Sequence, residues 1–337
     1  MSDHRRLRHR SRRAAALLGV VIAIALIAAG CGTTEKAAES APAQGAPAGP
    51  VTVTDSRGKE IKLEKPATRV VALEWGEAES LVSLGAGVVG VADKKGFATW
   101  DKAVTLPADV KDVGVRGEPS IDSIVALQPD LVVANGADGA TPMVTQIEKY
   151  VPVLLTNGAD ASDDWQRLQD DVKMMAAATG TEAKGDELLA QMDAALAEGK
   201  TAIANAGHAG RPFLMADGWK EGSTVSIRMF AEGSEVSVIG ERLGLVNAWK
   251  EKGDKAWGLG QTDVEGLSGY TDPDIYFFYS ASEDDVFADG LDTSKIWTGL
   301  PFVQQGSLTH FSPGTWTFGG PASVMLIAEQ MVAALTA

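Results

Sequence analysis

The feature that most constrains the fold is a regular alternation of apolar strands and helices that begins near Val51. After a short hairpin pattern, the apolar runs "RVVALE", "VVGVAD", "PDLVVAN" and "VPVLLT" are separated by helical segments. Such runs, alternating with helices, are typical of a parallel sheet that helices cover on both faces. The alternation predicts an N-terminal α/β lobe over residues 51–160.

A long stretch without strand signals interrupts this alternation over residues 161–204. Gly180 separates two predicted helices, and in the second, over about 181–204, Leu188, Met192 and Leu196 recur at every fourth position. This spacing places apolar side chains on one helix face, and the helix is long enough to join two lobes. Strands and helices alternate again over 205–337. The predicted fold class is therefore α/β, with two lobes that each contain a mainly parallel sheet flanked by helices, joined by a long inter-lobe helix.

The first fifty residues carry export signals instead of a folding pattern. Six arginines precede Ala14, and every residue from Ala14 to Ala29 is apolar or glycine, which is typical of a secretory signal over residues 1–30. The small residues before Cys31, the only cysteine, resemble a bacterial lipoprotein cleavage site. A lipid on Cys31 would anchor the protein to the outer face of the cell membrane, whereas the alternative is a secreted protein with a free thiol. Residues 31–50 are interpreted as a flexible linker.

The charge and the histidine count exclude several kinds of ligand. The net charge of −15 becomes about −20 once residues 1–30, with six arginines and one aspartate, are removed. Such a surface argues against nucleic acid as a partner. Only His208 and His310 follow the signal segment, so no protein-bound metal or cofactor is predicted.

No catalytic motif is found. The segment "GAGVVG" at residues 85–90 follows a helix and precedes a strand, the reverse of the order that a dinucleotide loop requires. A nucleophile elbow is also missing. The chain is therefore predicted not to be an enzyme, and an extracytoplasmic hydrolase is kept only as an alternative from another functional class.

Four tryptophans are candidates for a binding site. Trp75, Trp100, Trp257 and Trp316 lie beside Gly, Glu, Asp or Lys in loop-like sequence, whereas the other tryptophans considered, at positions 165, 249 and 297, lie in apolar surroundings typical of a core. A tryptophan on a rigid loop supplies a broad apolar wall with a polar N–H. Four of them in a two-lobed fold favour a shared aromatic pocket, although each alone is more often structural.

Four charged residues have both a functional and a structural interpretation. Arg116 lies in a glycine-flanked loop, and Arg228 lies among apolar neighbours. Each can either bind ligand oxygens through its planar guanidinium group or form an internal ion pair. Asp122 and Glu265 each lie at the predicted start of a helix, one in each lobe. There an acid also stabilises the helix simply by complementing its dipole.

Three stretches together resemble hydroxamate siderophore-binding proteins of ABC importers, of the ferrichrome-binding type. They are residues 70–133, which contain "VGVRGEP", residues 244–267, which contain "KAWGLG", and residues 296–321, which contain "GTWTFGGP". The resemblance implies two α/β lobes, one long joining helix, a shallow aromatic cleft and modest closure on binding.

The resemblance also implies roles for single residues. Arg116 would contact the iron-bound hydroxamate oxygens, and Arg228 would grip the ligand as well. The cleft would be lined by Trp100, Trp257 and Trp316, with Trp75 nearby. Asp122 and Glu265 would dock onto arginines of the permease. Asp138 occupies the place of a family tyrosine, from which we hypothesise a ligand with a pendant cation.

The function predicted at this point is ligand capture and delivery without catalysis. The chain would be an extracytoplasmic, lipid-anchored and monomeric binding protein that passes a ferric hydroxamate siderophore, whose iron the ligand itself coordinates, to an ABC permease. A haem or cobalamin carrier is the alternative within the same class, and a structural surface lipoprotein is a third.

Overall fold

The computed structural model of the protein describes residues 49–137, 141–222 and 224–337. Cys31, on which the predicted lipid anchor depends, and Asp138, the predicted cation-binding residue, lie outside these ranges. Among the residues that are described, no helix is both long and apolar enough to cross a membrane.

The N-terminal part is built on a parallel five-stranded sheet. An antiparallel hairpin of β1 (Val51–Thr54) and β2 (Glu60–Leu63) precedes this sheet. The strands and helices that follow are β3 (Val70–Ala72), α1 (Trp75–Ser83), β4 (Val88–Val91), α2 (Lys94–Trp100), β5 (Lys111–Asp112), α3 (Ile121–Ala126), β6 (Leu131–Ala134), α4 (Pro142–Ile147) and β7 (Val153–Leu155). The strand order is β5-β4-β3-β6-β7. Strands β3, β6 and β7 are buried along their whole length, as expected for a sheet that is covered on both faces.

Two consecutive helices follow the first sheet. Helix α5 (Asp164–Thr179) ends at Gly180, whose positive φ of 69° suits a residue without a side chain. Helix α6 (Glu182–Asn205) then runs for 24 residues, which corresponds to about 36 Å. Its buried face includes Leu188, Met192 and Leu196, the residues that recur at every fourth position.

The C-terminal part contains a mixed six-stranded sheet. Its elements are β8 (Pro212–Glu221), β9 (Thr224–Phe230), α7 (Glu235–Arg242), β10 (Val246–Asn247), β11 (Leu259–Thr262), β12 (Tyr276–Ser280), α8 (Pro301–Gln304), β13 (Leu308–His310) and α9 (Pro321–Thr336). The strand order is β11-β9-β8-β12-β13, with β10 also paired to β8. Strand β8 pairs parallel with β10 and β12, and β12 pairs parallel with β13. Strand β9 pairs antiparallel with β8 and with β11.

Two details of this part differ from the sequence-based prediction. Strand β8 forms a long antiparallel hairpin with β9 instead of leading into a helix, because its polar end also pairs through the backbone. Glu265 precedes only a short 3-10 turn over 266–269. The prediction of a matched helix start at Glu265 was therefore wrong, while Asp122 does lie in the first turn of α3.

One hydrophobic core extends through both parts of the chain. It includes Val70 and Leu131 from the first sheet, Leu196 from α6, and Phe213 and Phe278 from the second sheet. Because these side chains pack in a single cluster, the two lobes and the helix between them share their apolar core. This shared core holds the carboxyl ends of the strands of both lobes in fixed positions.

Candidate ligand-binding cleft

A cavity of about 730 Å³ lies where the ends of several strands from both lobes meet. Glu74 and Trp75 follow β3, Asn135 follows β6, and Ala281 follows β12, and all four line the cavity. Ligands of open α/β sheets bind at the carboxyl ends of the strands, and a cavity of this size suits a drug-sized molecule.

Three tryptophans form one continuous aromatic wall of the cavity. The ring centroids of Trp75 and Trp316 are 4.8 Å apart and those of Trp100 and Trp316 are 6.4 Å apart, with edge-to-face geometry in both pairs. Gly96 in α2 allows this arrangement, since a Cβ atom there would come within 2.3 Å of the Trp75 ring. The wall is therefore fixed by packing before any ligand arrives.

Phe318 connects this wall to the opposite side of the cavity. Its ring lies 5.3 Å from that of Trp316 and 5.4 Å from that of Trp257. The four tryptophans proposed from sequence thus line one cavity together, linked by a phenylalanine. Aromatic side chains arranged in this way bury apolar ligand surface and keep polar N–H groups available at their edges.

Arg116 is held on this wall by a carboxylate and by an indole ring. One of its terminal nitrogens, Nη1, donates a hydrogen bond of 2.8 Å to Glu74 Oε2, and the guanidinium carbon lies 3.8 Å from the centre of the Trp75 ring. Burial raises the pKa of Glu74 above its ordinary value, although the charge of Arg116 opposes this rise. The ion pair and the stacking orient the guanidinium group towards the cavity that it lines.

Arg228 is held in a similar way on the C-terminal side. It is the cross-strand partner of Asp217 in the β8–β9 hairpin, and its Nε donates to Asp217 Oδ1 over 2.9 Å. A second hydrogen bond joins Arg228 Nη2 to Asp217 Oδ2, and the guanidinium group also lies 5.1 Å from the Phe318 ring. Burial raises the pKa of Asp217, while Arg228 opposes this rise through its hydrogen bond and its charge.

The internal ion pair that the sequence analysis left open as an alternative is present for both arginines. Each guanidinium group nevertheless lines the cavity, so pairing with a carboxylate does not remove it from the site. A guanidinium group has five N–H donors, and a carboxylate partner occupies only some of them.

The remaining predicted residues lie elsewhere. Asp122 and Glu265 are exposed and do not line the cavity. Five further residues that line the cavity were not predicted from the sequence: Glu74, Asp217, Trp219, Asp284 and Phe318. Asp217 could have been found as the cross-strand partner of Arg228, but only once the β8–β9 hairpin was known. The contact between Glu74 and Arg116 depends on how the end of β3 meets the loop before α3.

Metal-binding groups are not found in the part of the chain that the structure describes. No set of three or more His, Cys, Asp or Glu side chains there is arranged to hold a metal ion. The described lining of the cavity also contains no His, Cys or Tyr, which are side chains that commonly ligate iron or haem.

The sequence places this cleft in a known family. Residues 70–313 match the sequence profile of the periplasmic binding protein family. The chain belongs to this family. Proteins of the periplasmic binding protein family bind solutes and are not enzymes, which confirms the prediction that the chain is not an enzyme.

Individual relatives of the periplasmic binding protein family extend this finding. The chain is 26% identical to the iron(3+)-hydroxamate-binding protein FhuD of Escherichia coli, with 76% of this chain and 83% of that protein covered. It is 27% identical to the Fe(3+)-citrate-binding protein YfmC of Bacillus subtilis, with 92% and 93% covered.

A solved structure agrees with the two-lobed α/β fold. The siderophore-binding protein FhuD of Vibrio cholerae, determined with Fe3+-Desferal bound, superposes with a TM-score of 0.70 at 27% sequence identity. The superposition covers 80% of this chain and 98% of the other. The predicted fold class and the predicted family are thereby confirmed.

Proposed function

We propose that this protein is the substrate-binding component of an ABC importer and captures a ferric siderophore of the hydroxamate class in the cleft described above. The observation that carries this proposal is the combination, within one cavity of about 730 Å³, of a tryptophan wall and two arginines held by carboxylates. Two similar proteins are named as binding ferric hydroxamate or Fe3+-Desferal.

The chemistry of the cleft fits a ferric hydroxamate better than an anionic iron complex. A ferric trihydroxamate is large and nearly neutral, and its own oxygens saturate the iron, so that it requires no metal ligand from the protein. The tryptophan wall would bury its methylene chains, and the free N–H groups of Arg116 and Arg228 would meet the polarised oxygens around the iron. A strongly anionic complex would need unpaired cations, whereas both cleft arginines are already paired.

The cellular context of the proposal rests on the N-terminal sequence. Removal of residues 1–30 would leave Cys31 to carry a lipid that anchors a monomeric protein to the outer face of the cell membrane. Asp122 and Glu265, which are both exposed, are proposed to contact arginines of the permease. Charge reversal at both positions should lower siderophore uptake by cells without changing the affinity of the purified protein, and unchanged uptake would count against this docking role.

A tryptophan-fluorescence titration of the full chain in detergent tests the ligand class. We expect saturable quenching by ferrioxamine B or ferrichrome, with no comparable response to ferric enterobactin, haemin or cobalamin. Arg116→Ala should weaken hydroxamate binding by about tenfold or more, because a hydrogen bond from a charged group is lost. The double variant Arg116→Ala/Glu74→Gln removes one positive and one negative charge, so the net charge of the cleft stays the same. It should lose affinity as well, because the guanidinium group is still missing.

A matched control is available in Arg242, which stacks over Trp165 at 3.6 Å outside the cleft. Arg242→Ala should leave hydroxamate affinity unchanged. Tight binding of haemin or cobalamin, with no response to either hydroxamate, would overturn the ligand class. A Soret titration then distinguishes haemin from cobalamin, because only bound haemin changes the Soret band.

A further inference from the structure

The described charged side chains of the cleft form two ion pairs, and one further carboxylate has no ion-pair partner among them. Arg116 pairs with Glu74, and Arg228 pairs with Asp217, so the charge of each arginine is balanced within its own lobe. Asp284 also lines the cavity, and no cation of the described residues lies within ion-pair distance of its carboxylate. The lining therefore contains more carboxylates than arginines and has a net negative charge when all of these groups are ionised.

The backbone that carries Asp284 is fixed by its neighbour. Asp285 Oδ1 accepts hydrogen bonds from the backbone N–H groups of Phe287 and Ala288, at 3.1 and 2.9 Å. Asp285 Oδ2 accepts a hydrogen bond of 3.1 Å from the hydroxyl group of Tyr279, in β12. Asp284 is exposed, but the next residue is tied to β12, which restricts where the backbone of Asp284 can lie beside the cavity.

One more aromatic side chain lines the same cavity. Trp219 in β8 is 42% exposed although it lies against the cavity. The face of an indole ring attracts cations, and an unpaired carboxylate attracts them more strongly. A ligand that brings only anionic oxygens would meet repulsion from Asp284, and the net charge of −15 of the chain adds to this repulsion.

We infer that Asp284 binds a cationic substituent, such as a primary ammonium group, on the ferric siderophore whose iron-bound part contacts the tryptophan wall. This inference rests on the proposed function and makes it more specific. The cleft then selects ferric complexes that are neutral at the iron and positively charged at the periphery. An ammonium group has three donors on a flexible stem, which suits a single exposed carboxylate at the edge of the cavity.

Asp138 is the residue for which the family resemblance suggested a pendant cation on the ligand. The cation-binding residue inferred from the described structure is Asp284, in the C-terminal part of the chain, while Asp138 lies outside the described ranges and stays a separate prediction. The two assignments are separable, because a substitution at Asp284 should by itself remove the preference for a cationic ligand.

The test compares two ligands that differ only in the charge of one substituent. Ferrioxamine B has a free ammonium group, and its N-acetyl derivative is neutral at that position. We expect isothermal titration of the full chain in detergent to show tighter binding of ferrioxamine B by about threefold to fivefold at low ionic strength. Asp284→Asn should bring this ratio close to one while the affinity for the acetylated ligand stays the same. High salt should also reduce the ratio in the wild-type protein.

Glu283 provides the matched control. It is exposed and adjacent to Asp284 but does not line the cavity, so Glu283→Gln should keep the wild-type ratio. Equal affinity of the wild-type protein for both ligands, or an undiminished ratio in Asp284→Asn, overturns this inference while the proposed function stands. If neither hydroxamate binds, both the proposed function and this inference fail.

Discussion

At the scale of single residues, the two cleft arginines are positioned before a ligand binds. Arg116 has one carboxylate partner and one indole face beneath it, and Arg228 has a two-point contact with Asp217. Each contact removes side-chain freedom that a ligand would otherwise have to remove on binding. The N–H groups not used by the carboxylates remain available to ligand oxygens, so the same pairs orient the donors and lower the positive charge of the cleft.

Trp219 lines the cavity apart from the aromatic wall, and its contribution to ligand binding can be tested without damage to the core. Its side chain is 42% exposed and lines the cavity from the β8–β9 hairpin. Trp219→Ala should lower the affinity for ferrioxamine B by about fivefold, because an aromatic contact with the ligand is lost. Isothermal titration measures this change. Tyr150, which is 64% exposed and outside the cavity lining, supplies the control Tyr150→Ala, and equal affinities of both variants would contradict the prediction.

The residues of the cleft were predictable from sequence only where their immediate neighbours along the chain distinguish them. The four cleft tryptophans stood out because they lie beside polar residues and glycine, and the structure brings them into one cavity. Their partners could not be predicted in this way. Glu74 and Arg116 are separated by 42 positions, and the distance between their side chains depends on how β3 and the loop before α3 meet in three dimensions.

At the scale of elements, the N-terminus of α9 is capped by a residue from the other lobe. Helix α9 has no capping hydrogen bond from its own N-cap residue, Gly320. Instead, the carboxylate of Glu79 in α1 accepts hydrogen bonds from the backbone N–H groups of Gly320, Ala322 and Ser323, at 2.9 to 3.0 Å, and from the Ser323 hydroxyl group at 2.6 Å. These contacts satisfy N–H groups that a helix start leaves without partners.

Loss of this contact should destabilise the whole chain. Glu79→Gln replaces one acceptor oxygen by a donor that faces other donors, and we expect the free energy of unfolding to fall by about 2 to 4 kcal/mol. Urea denaturation measures this loss. Glu198 is exposed on α6, so Glu198→Gln should change stability by less than about 0.5 kcal/mol. A similar small change in both variants would show that the Glu79 contact does not stabilise the fold.

Regular elements were predictable where hydrophobic periodicity was strong. The alternating strands of the first lobe and the long α6 have clear periodic signals, and both are present. The β8–β9 hairpin was not predicted, because Lys220, Glu221 and the glycines around them carry no apolar periodicity, although backbone pairing continues through that segment. The cap of α9 was also not predictable, since Glu79 lies 241 positions before Gly320.

At the scale of the whole molecule, buried polar contacts join the two lobes beneath the cleft. Arg167 in α5 donates hydrogen bonds to Asp164 in the same helix, at 2.8 and 3.0 Å, and to Glu235 in α7 at 3.2 Å. Glu235 also accepts a hydrogen bond of 3.0 Å from the N–H group of Gly319. Together with the shared core and α6, these contacts oppose large rotations of one lobe against the other.

The same region contains carboxyl groups that hold protons unusually tightly. Burial and the charge of Glu79 raise the pKa of Asp101 to about 9. Burial and the charge of Glu74 raise the pKa of Glu77 to about 7. Both groups therefore bind a proton in the folded chain at pH values where the unfolded chain has released it. Because the folded state binds more protons, its stability decreases as the pH rises between the unfolded and the folded pKa.

The pH dependence of stability should thus change when Asp101 is replaced by its uncharged isostere. Asp101→Asn keeps an acceptor for the N–H group of Ala103 but cannot titrate. From pH 5 to pH 8, the free energy of unfolding of the wild-type protein should fall relative to that of the variant by about 1 kcal/mol per pH unit. Urea denaturation at several pH values measures this difference, with the exposed Asp292→Asn as control. A difference between wild type and Asp101→Asn that stays constant with pH would mean that Asp101 is ionised in the folded protein, and that its negative charge is tolerated beside Glu79.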